Sequence, residues 1–172
     1  MKELERQEIL ASLEKGPPAL SDALKNVTRE MAVRVPGHGK WSILQCVEHV
    51  AIAEKYLLTQ ILAAQHTETP QINEQREAII LARGTERSRR VESPPEMLPR
   101  GRFSTLQEAL QEFLAARERT IQFVRSSYNN LRAEITSHPL LGAVNCYEMI
   151  LLIAAHPLRH AKQIDEIREN FN

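Results

Sequence analysis

The chain has 172 residues, with 22 basic and 22 acidic side chains and a formal net charge of zero. The length suits one domain, residues 1–172, with a real hydrophobic core. The charge balance argues against nucleic acid as the main partner, because proteins that bind phosphate backbones usually carry a basic excess. With 42% hydrophobic but only 5% aromatic residues, the core must be built from Leu, Ile, Val and Ala, which suits packed helices better than sheets.

Two cysteines, Cys46 and Cys146, lie far apart and form no CxxC pair, which speaks against a cysteine zinc site or a redox motif. Both fall in apolar helical runs and are read as buried free thiols. Met1–Arg6 is charged and carries no signal-peptide core. No apolar run approaches the roughly 18 residues needed to span a bilayer. The expectation is a cytoplasmic protein without membrane contact.

In chain order, residues 2–31 read as helix with a break. Leu4, Ile9, Leu10 and Leu13 form one apolar stripe, Gly16-Pro17-Pro18 interrupts it, and Leu20, Ala23, Leu24, Val27 and Met31 resume it, with Ser21 as the candidate cap. Pro36-Gly37-His38-Gly39-Lys40 is a loop, with His38 in solvent. Trp41-Ser42 opens the second long helix: Ser42 with Gln45 three residues on is a capping box, and Trp41 packs back as a staple. Ile43, Leu44, Val47, Val50, Ala51, Leu57, Leu58, Ile61 and Leu62 give that helix a broad apolar surface, and within it stands His49.

Residues 65–104 change character. They are polar, with Pro70, Pro94, Pro95 and Pro99 and seven arginines (Arg76, Arg83, Arg87, Arg89, Arg90, Arg100 and Arg102). A short helix is expected over 73–82, and the rest reads as a long crossover, solvated or serving as a lid or an anion-binding edge. Ser104-Thr105 with Glu108 caps the third helix, which keeps a 3.6-residue period through Leu106, Leu110, Phe113, Ile121 and Val124 and ends at Asn129-Asn130. Thr136–Gly142 reads as a turn. Asn145 with Glu148 caps a last helix running to Glu169, whose inner stripe includes Met149, Ile153, His156, His160 and Ile164. No strand pattern and no repeat are evident, so the expectation is an all-α four-helix bundle with a long crossover between its second and third helices.

His156 and His160 lie one turn apart on one helix face, and His49 sits on the inner face of the second helix. Three buried, unpaired imidazoles would cost about 1–3 kcal/mol each, and one divalent ion would satisfy all three. Three neutral ligands with an open fourth position suit a catalytic site. Zinc, nickel and iron all fit such a set. The catalytic group would be a water on the ion, its pKa lowered toward neutrality, or a thiolate in the same position. The intervening Pro157, Leu158 and Arg159 supply no carboxylate base, unlike the His-Glu-x-x-His proteases. Gln45 and Gln163, at helical spacing from His49 and His160, are the candidates to orient the rings. Glu48 and Arg159, adjacent to ligands in sequence, read as exterior. Pro157 is out of place in mid-helix, where it frees the Ile153 carbonyl.

Trp41-Ser42-Ile43, Cys46-Val47-Glu48-His49-Val50, Gly101-Arg102-Phe103-Ser104 and His156-x-x-x-His160-x-x-Gln163-Ile164 together resemble the DinB superfamily over nearly the whole chain. The resemblance implies a four-helix bundle with a divalent metal, carried here onto His49, His156 and His160, and a homodimer. Members of the family with an assigned activity include thiol transferases using bacillithiol, mycothiol or glutathione and metal-dependent hydrolases, and many members have no known activity. Pro157 departs from that pattern. The competing expectation is a non-catalytic metal-binding or stress-response bundle. A third reading, nucleic-acid binding through the arginine-rich stretch, runs against the balanced charge.

Overall fold

The computed structural model describes residues 1–89 and 91–171; Arg90, one of the loop arginines, lies outside them. The first bundle helix is split, as Gly16-Pro17-Pro18 requires, but the prolines do not end anything. They enter the first turn of α2 (Gly16–Ala23), where a backbone N–H has no helical acceptor to lose, just after α1 (Glu3–Leu13). Ser21 therefore lies inside α2 rather than capping it. A second break follows: Asn26 takes a positive φ of 62°, and α3 (Arg29–Val33) starts on Thr28, whose side chain accepts from the Met31 amide.

The long helices are α4 (Ile43–Leu62), α6 (Leu106–Ser126) and α7 (Cys146–Glu169). Each begins with a reciprocal capping box, Ser42 with Gln45, Thr105 with Glu108 and Asn145 with Glu148. Every box satisfies two amides that a helix start otherwise leaves open. Between α4 and α6, Asn73 caps α5 (Glu74–Thr85), which packs on α7. α5 runs a turn longer than the stretch 73–82 expected. No helix among the described residues is long and apolar enough to cross a membrane.

With α1–α2, these helices form a four-helix bundle whose buried apolar side chains fall into two clusters. One holds Leu13, Ala53, Ile121 and Ile153; the other holds Leu20, Val50, Phe113 and Ile164. Along α4 and α6 the chain passes from the second cluster to the first. Along α1–α2 and α7 it passes the other way. α4 and α6 thus run in the same direction, and the chain between them, residues 63–105, has to travel the length of the bundle.

A small antiparallel sheet stands beside the helices where no strand was expected: β1 (Gln65–His66), β2 (Glu134–His138) and β3 (Gly142–Asn145), in that order. Ile135 pairs with Asn145 and His138 with Gly142, which closes the hairpin with a φ of 68°. The strands are short and mostly exposed or half-buried, so they carry no apolar alternation that a sequence pattern could show.

Between the two clusters lies a buried polar layer. Arg117 is 1% exposed and Glu54 3%. The Arg117 Nε and Nη2 donate to the two Glu54 oxygens, both at 2.8 Å, and the Thr120 hydroxyl donates to the same carboxylate. The guanidinium also donates through Nη1 to the Leu13 carbonyl (2.6 Å) and through Nη2 to the Ile153 carbonyl (2.9 Å). The Ile153 carbonyl is the one that Pro157 deprives of its helical donor. Pro157 is thereby explained: Arg117 supplies the missing hydrogen bond, and the proline ring packs where Gly16 has no Cβ. A Cβ built on Gly16 would lie 2.5 Å from Pro157 Cγ.

Two outcomes are expected in urea denaturation. Arg117→Met strands the Glu54 charge and should lower stability by about 3–5 kcal/mol, with Glu54→Met in the same chain recovering much of the loss. Gly16→Ala should be destabilising in the parent chain and close to neutral in a Pro157→Ala background, because the ring it collides with is gone.

Candidate metal centre

His49 comes from α4, and His156 and His160 come from consecutive turns of α7, on either side of Pro157. The Nε2 atoms converge. His156 Nε2 lies 3.1 Å from His49 Nε2 and 3.0 Å from His160 Nε2, and one ring nitrogen from each residue lies within 4.8 Å of the others. His49 and His160 are buried, and His156 keeps an edge open. All three line a cleft of about 1090 Å³. Trp41 flanks them, its ring centroid 4.7 Å from that of His49 and 6.3 Å from that of His160, nearly parallel to the latter.

The tautomer of His49 is fixed. Its Nδ1 lies 2.7 Å from the Met97 carbonyl, which can only accept, so Nδ1 carries the proton and Nε2 presents a bare lone pair. His156 then has at most one Nε2 proton to share between two neighbours. No assignment of tautomers makes both 3 Å contacts ordinary hydrogen bonds. A metal–nitrogen distance of about 2.0–2.1 Å puts two ligand nitrogens of one ion roughly 3 Å apart, which is the spacing seen, and the three residues fit a single divalent ion.

Burial holds the rings neutral. It pushes His49 down to about 4, against a smaller opposing effect from the Met97 hydrogen bond. Burial also drives His156 and His160 well below the usual histidine range, helped by the neighbouring imidazoles and by Arg159. Each ring therefore keeps one unprotonated nitrogen near neutral pH, and on His49 that nitrogen is Nε2.

The supporting partners differ from those expected. The Gln45 side chain closes the capping box by accepting from the Ser42 amide (2.9 Å), so the Met97 carbonyl, not Gln45, orients His49. Gln163 accepts from Arg87 Nη1 at 3.3 Å, while His160 Nδ1 is buried with no hydrogen-bond partner among the described residues. Gln163 therefore does not orient His160.

Glu48 is not exterior: it is 1% exposed, and its carboxylate accepts the backbone amides of Arg100, Gly101 and Arg102 at 2.8–3.1 Å. It anchors the loop that carries the Met97 carbonyl to His49, a role that sequence spacing missed. One signal was present. Nearly every position around His49 on α4 is apolar, and a helix apolar all round leaves no outer face for Glu48. Arg159 is half-buried and lines the cleft. His38 is exposed in its loop, as expected, and His138 lines the cleft while accepting from the Leu140 and Leu141 amides.

Fold and site together define a helical bundle with a three-histidine cluster built across two of its helices. The chain belongs to the DinB superfamily, which it matches over residues 12–164. Two solved structures share the fold. One, described as TT2238, a four-helix bundle protein, is 19% identical with a TM-score of 0.61, over 94% of this chain and 98% of that one. The other, YfiT from Bacillus subtilis, is described as a probable metal-dependent hydrolase with an unusual four-helix bundle topology. It is 14% identical with a TM-score of 0.63, over 99% of this chain and 90% of that one. No curated protein matches the sequence.

The depressed histidine values set a pH dependence. The unfolded chain takes up protons near pH 6.5, while burial keeps the folded rings neutral, down to about 4 for His49 and well below the usual histidine range for His156 and His160, so acid favours unfolding. Chelator-treated protein should lose stability as pH falls from 6.5 toward 4, by up to about 1.4 kcal/mol per pH unit for each histidine. His156→Gln should flatten that slope in urea titrations at a series of pH values.

Proposed function

We propose that the protein is a divalent-metal-dependent hydrolase, with the ion held by His49, His156 and His160. The observation that carries the reading is the convergence of three Nε2 atoms, neutral and with no satisfactory hydrogen bonding of their own, on the wall of an open cleft. When bound, the ion supplies Lewis acidity and lowers the pKa of water in its open position. The remaining work falls to the chain. The Met97 carbonyl holds the His49 tautomer, Glu48 holds the loop that presents that carbonyl, and Trp41 shields the rings on one side. The description of YfiT as a probable metal-dependent hydrolase supports the same reading.

The test is metal analysis and turnover on protein purified without nickel resin. About one zinc, nickel or iron ion per chain is expected, with occupancy falling in His49→Ala and His160→Ala. Hydrolysis of a panel of activated esters and amides should follow metal content and need no thiol. Turnover of an electrophile that requires glutathione or another low-molecular-weight thiol would reassign the site to S-transfer. Bound metal without either activity would leave a metal-binding bundle, and the absence of metal from all preparations would overturn the site.

A further inference from the structure

The cleft beside the three histidines has a chemical bias that a metal does not require. Five of the large apolar side chains that stand exposed, Ile79, Val91, Leu98, Leu140 and Leu141, gather on its wall. Exposed apolar side chains collected in one concave place mark a ligand surface rather than a random scatter. The same cleft is lined by Lys40, Arg83, Arg87, Arg89 and Arg159 against Glu86, Glu92 and Glu166, a basic excess in a chain whose net charge is zero.

The cations are not equivalent. Lys40, Arg83 and Arg89 are exposed and solvated. Arg87 is half-buried but committed, its Nε and Nη2 on the Glu166 carboxylate at 2.7–3.3 Å and its Nη1 on Gln163. Arg159 is also half-buried, and among the described residues its hydrogen bond goes to the Arg89 carbonyl at 2.8 Å; it has no carboxylate partner within ion-pair distance. Two acids act on it from beyond ion-pair distance, Glu166, which is paired with Arg87, and Glu86, which accepts from the Ser88 hydroxyl. A partly desolvated guanidinium with no carboxylate in direct contact gains from an anion that reaches it. Arg159 follows His156 by three residues on α7, on the neighbouring position of the same helix face. An anion on Arg159 therefore sits beside the imidazole cluster.

We infer that the cleft binds a small amphipathic monocarboxylate, its acid group on Arg159 and its apolar body along Leu98, Leu140 and Leu141. One uncommitted guanidinium matches one negative charge, which favours a carboxylate over a dianionic phosphate. This names the substrate class of the proposed enzyme and rests on the cleft being its substrate site.

Octanoate, octan-1-ol and octyl phosphate share an apolar tail and differ in the head, so calorimetric titration of the full-length protein with each, metal content recorded on the same samples, tests the assignment. Octanoate should bind more tightly than the other two, and Arg159→Met should weaken it about ten-fold or more while leaving octanol and the metal content unchanged. Leu141→Asp, on an exposed turn, should weaken octanoate and octanol alike. Octanol or octyl phosphate binding wild-type protein as tightly as octanoate overturns the assignment, a comparison that needs no variant to fold. Octanoate binding unmoved in a folded Arg159→Met protein overturns it as well. Failure of the metal reading shows separately, as metal-free samples in which the Arg159 dependence of octanoate persists.

Discussion

A guanidinium buried in the middle of an aliphatic core has to be paired at every edge, and the Arg117 side chain sets the terms for the rest of this bundle. Its partners are the Glu54 carboxylate on α4, the Leu13 carbonyl at the end of α1 and the Ile153 carbonyl on α7. Two of these acceptors are open only because of local irregularities, a helix terminus and a proline. An unbroken first helix would have used the Leu13 carbonyl internally, and a residue other than proline at 157 would have used that of Ile153. The break at Gly16, the proline and the arginine are thus one arrangement. Each irregularity that would be costly alone is compensated by the others.

The arrangement fixes the axial register of α7 against α4 and α6, and this register is what the histidines need. His156 and His160 flank Pro157, and His49 stands on α4 on the side of Glu54 toward the helix start. Slippage of α7 by one turn, about 5.4 Å, would carry the two imidazoles past the third, far outside a separation of 3.0–3.1 Å. The polar layer is costly to desolvate and contributes less to net stability than a well-packed apolar layer could. A shifted alignment would separate the guanidinium from the Glu54, Leu13 and Ile153 oxygens that now pair it.

Much of this was legible in the sequence, and what was missed has a common cause. The capping boxes at Ser42, Thr105 and Asn145 are local signals, and each starts its helix where expected. The histidine spacing on α7 and the apolar setting of His49 brought the three rings together on paper. The partners of those rings were not legible, because they come from elements remote in sequence. Met97 reaches His49 from a loop, and Gln45, well placed by spacing, is already used by the cap. Glu48 and Arg159 were set outside by single-helix reasoning, but α4 is enclosed all round and α7 faces the bundle on one side and the cleft on another. Arg117 drew no notice at all, since a charge on a periodic helix reads as solvent-facing until its acceptors are known. Pro157 made sense only once the arginine opposite its freed carbonyl was placed.

The neighbouring residues Glu48 and His49 do opposite things for one loop. Glu48 accepts three amides from residues 100–102, and His49 Nδ1 donates a hydrogen bond to the carbonyl of Met97 a few residues earlier. The loop is therefore clamped to α4 at two points, and the direction of the His49 lone pair is set by structure outside the bundle core. Among the described residues His160 has no such support on its Nδ1, so its orientation depends on packing and on its Nε2, which faces His156. Neutral ligands have a further consequence. An ion held by three uncharged imidazoles would have none of its charge offset by its ligands, and the half-buried guanidinium of Arg159 would stand beside it as a second cation. Glu86, Glu92 and Glu166 on the same cleft wall would offset part of that charge, and a monoanion on Arg159 would offset more.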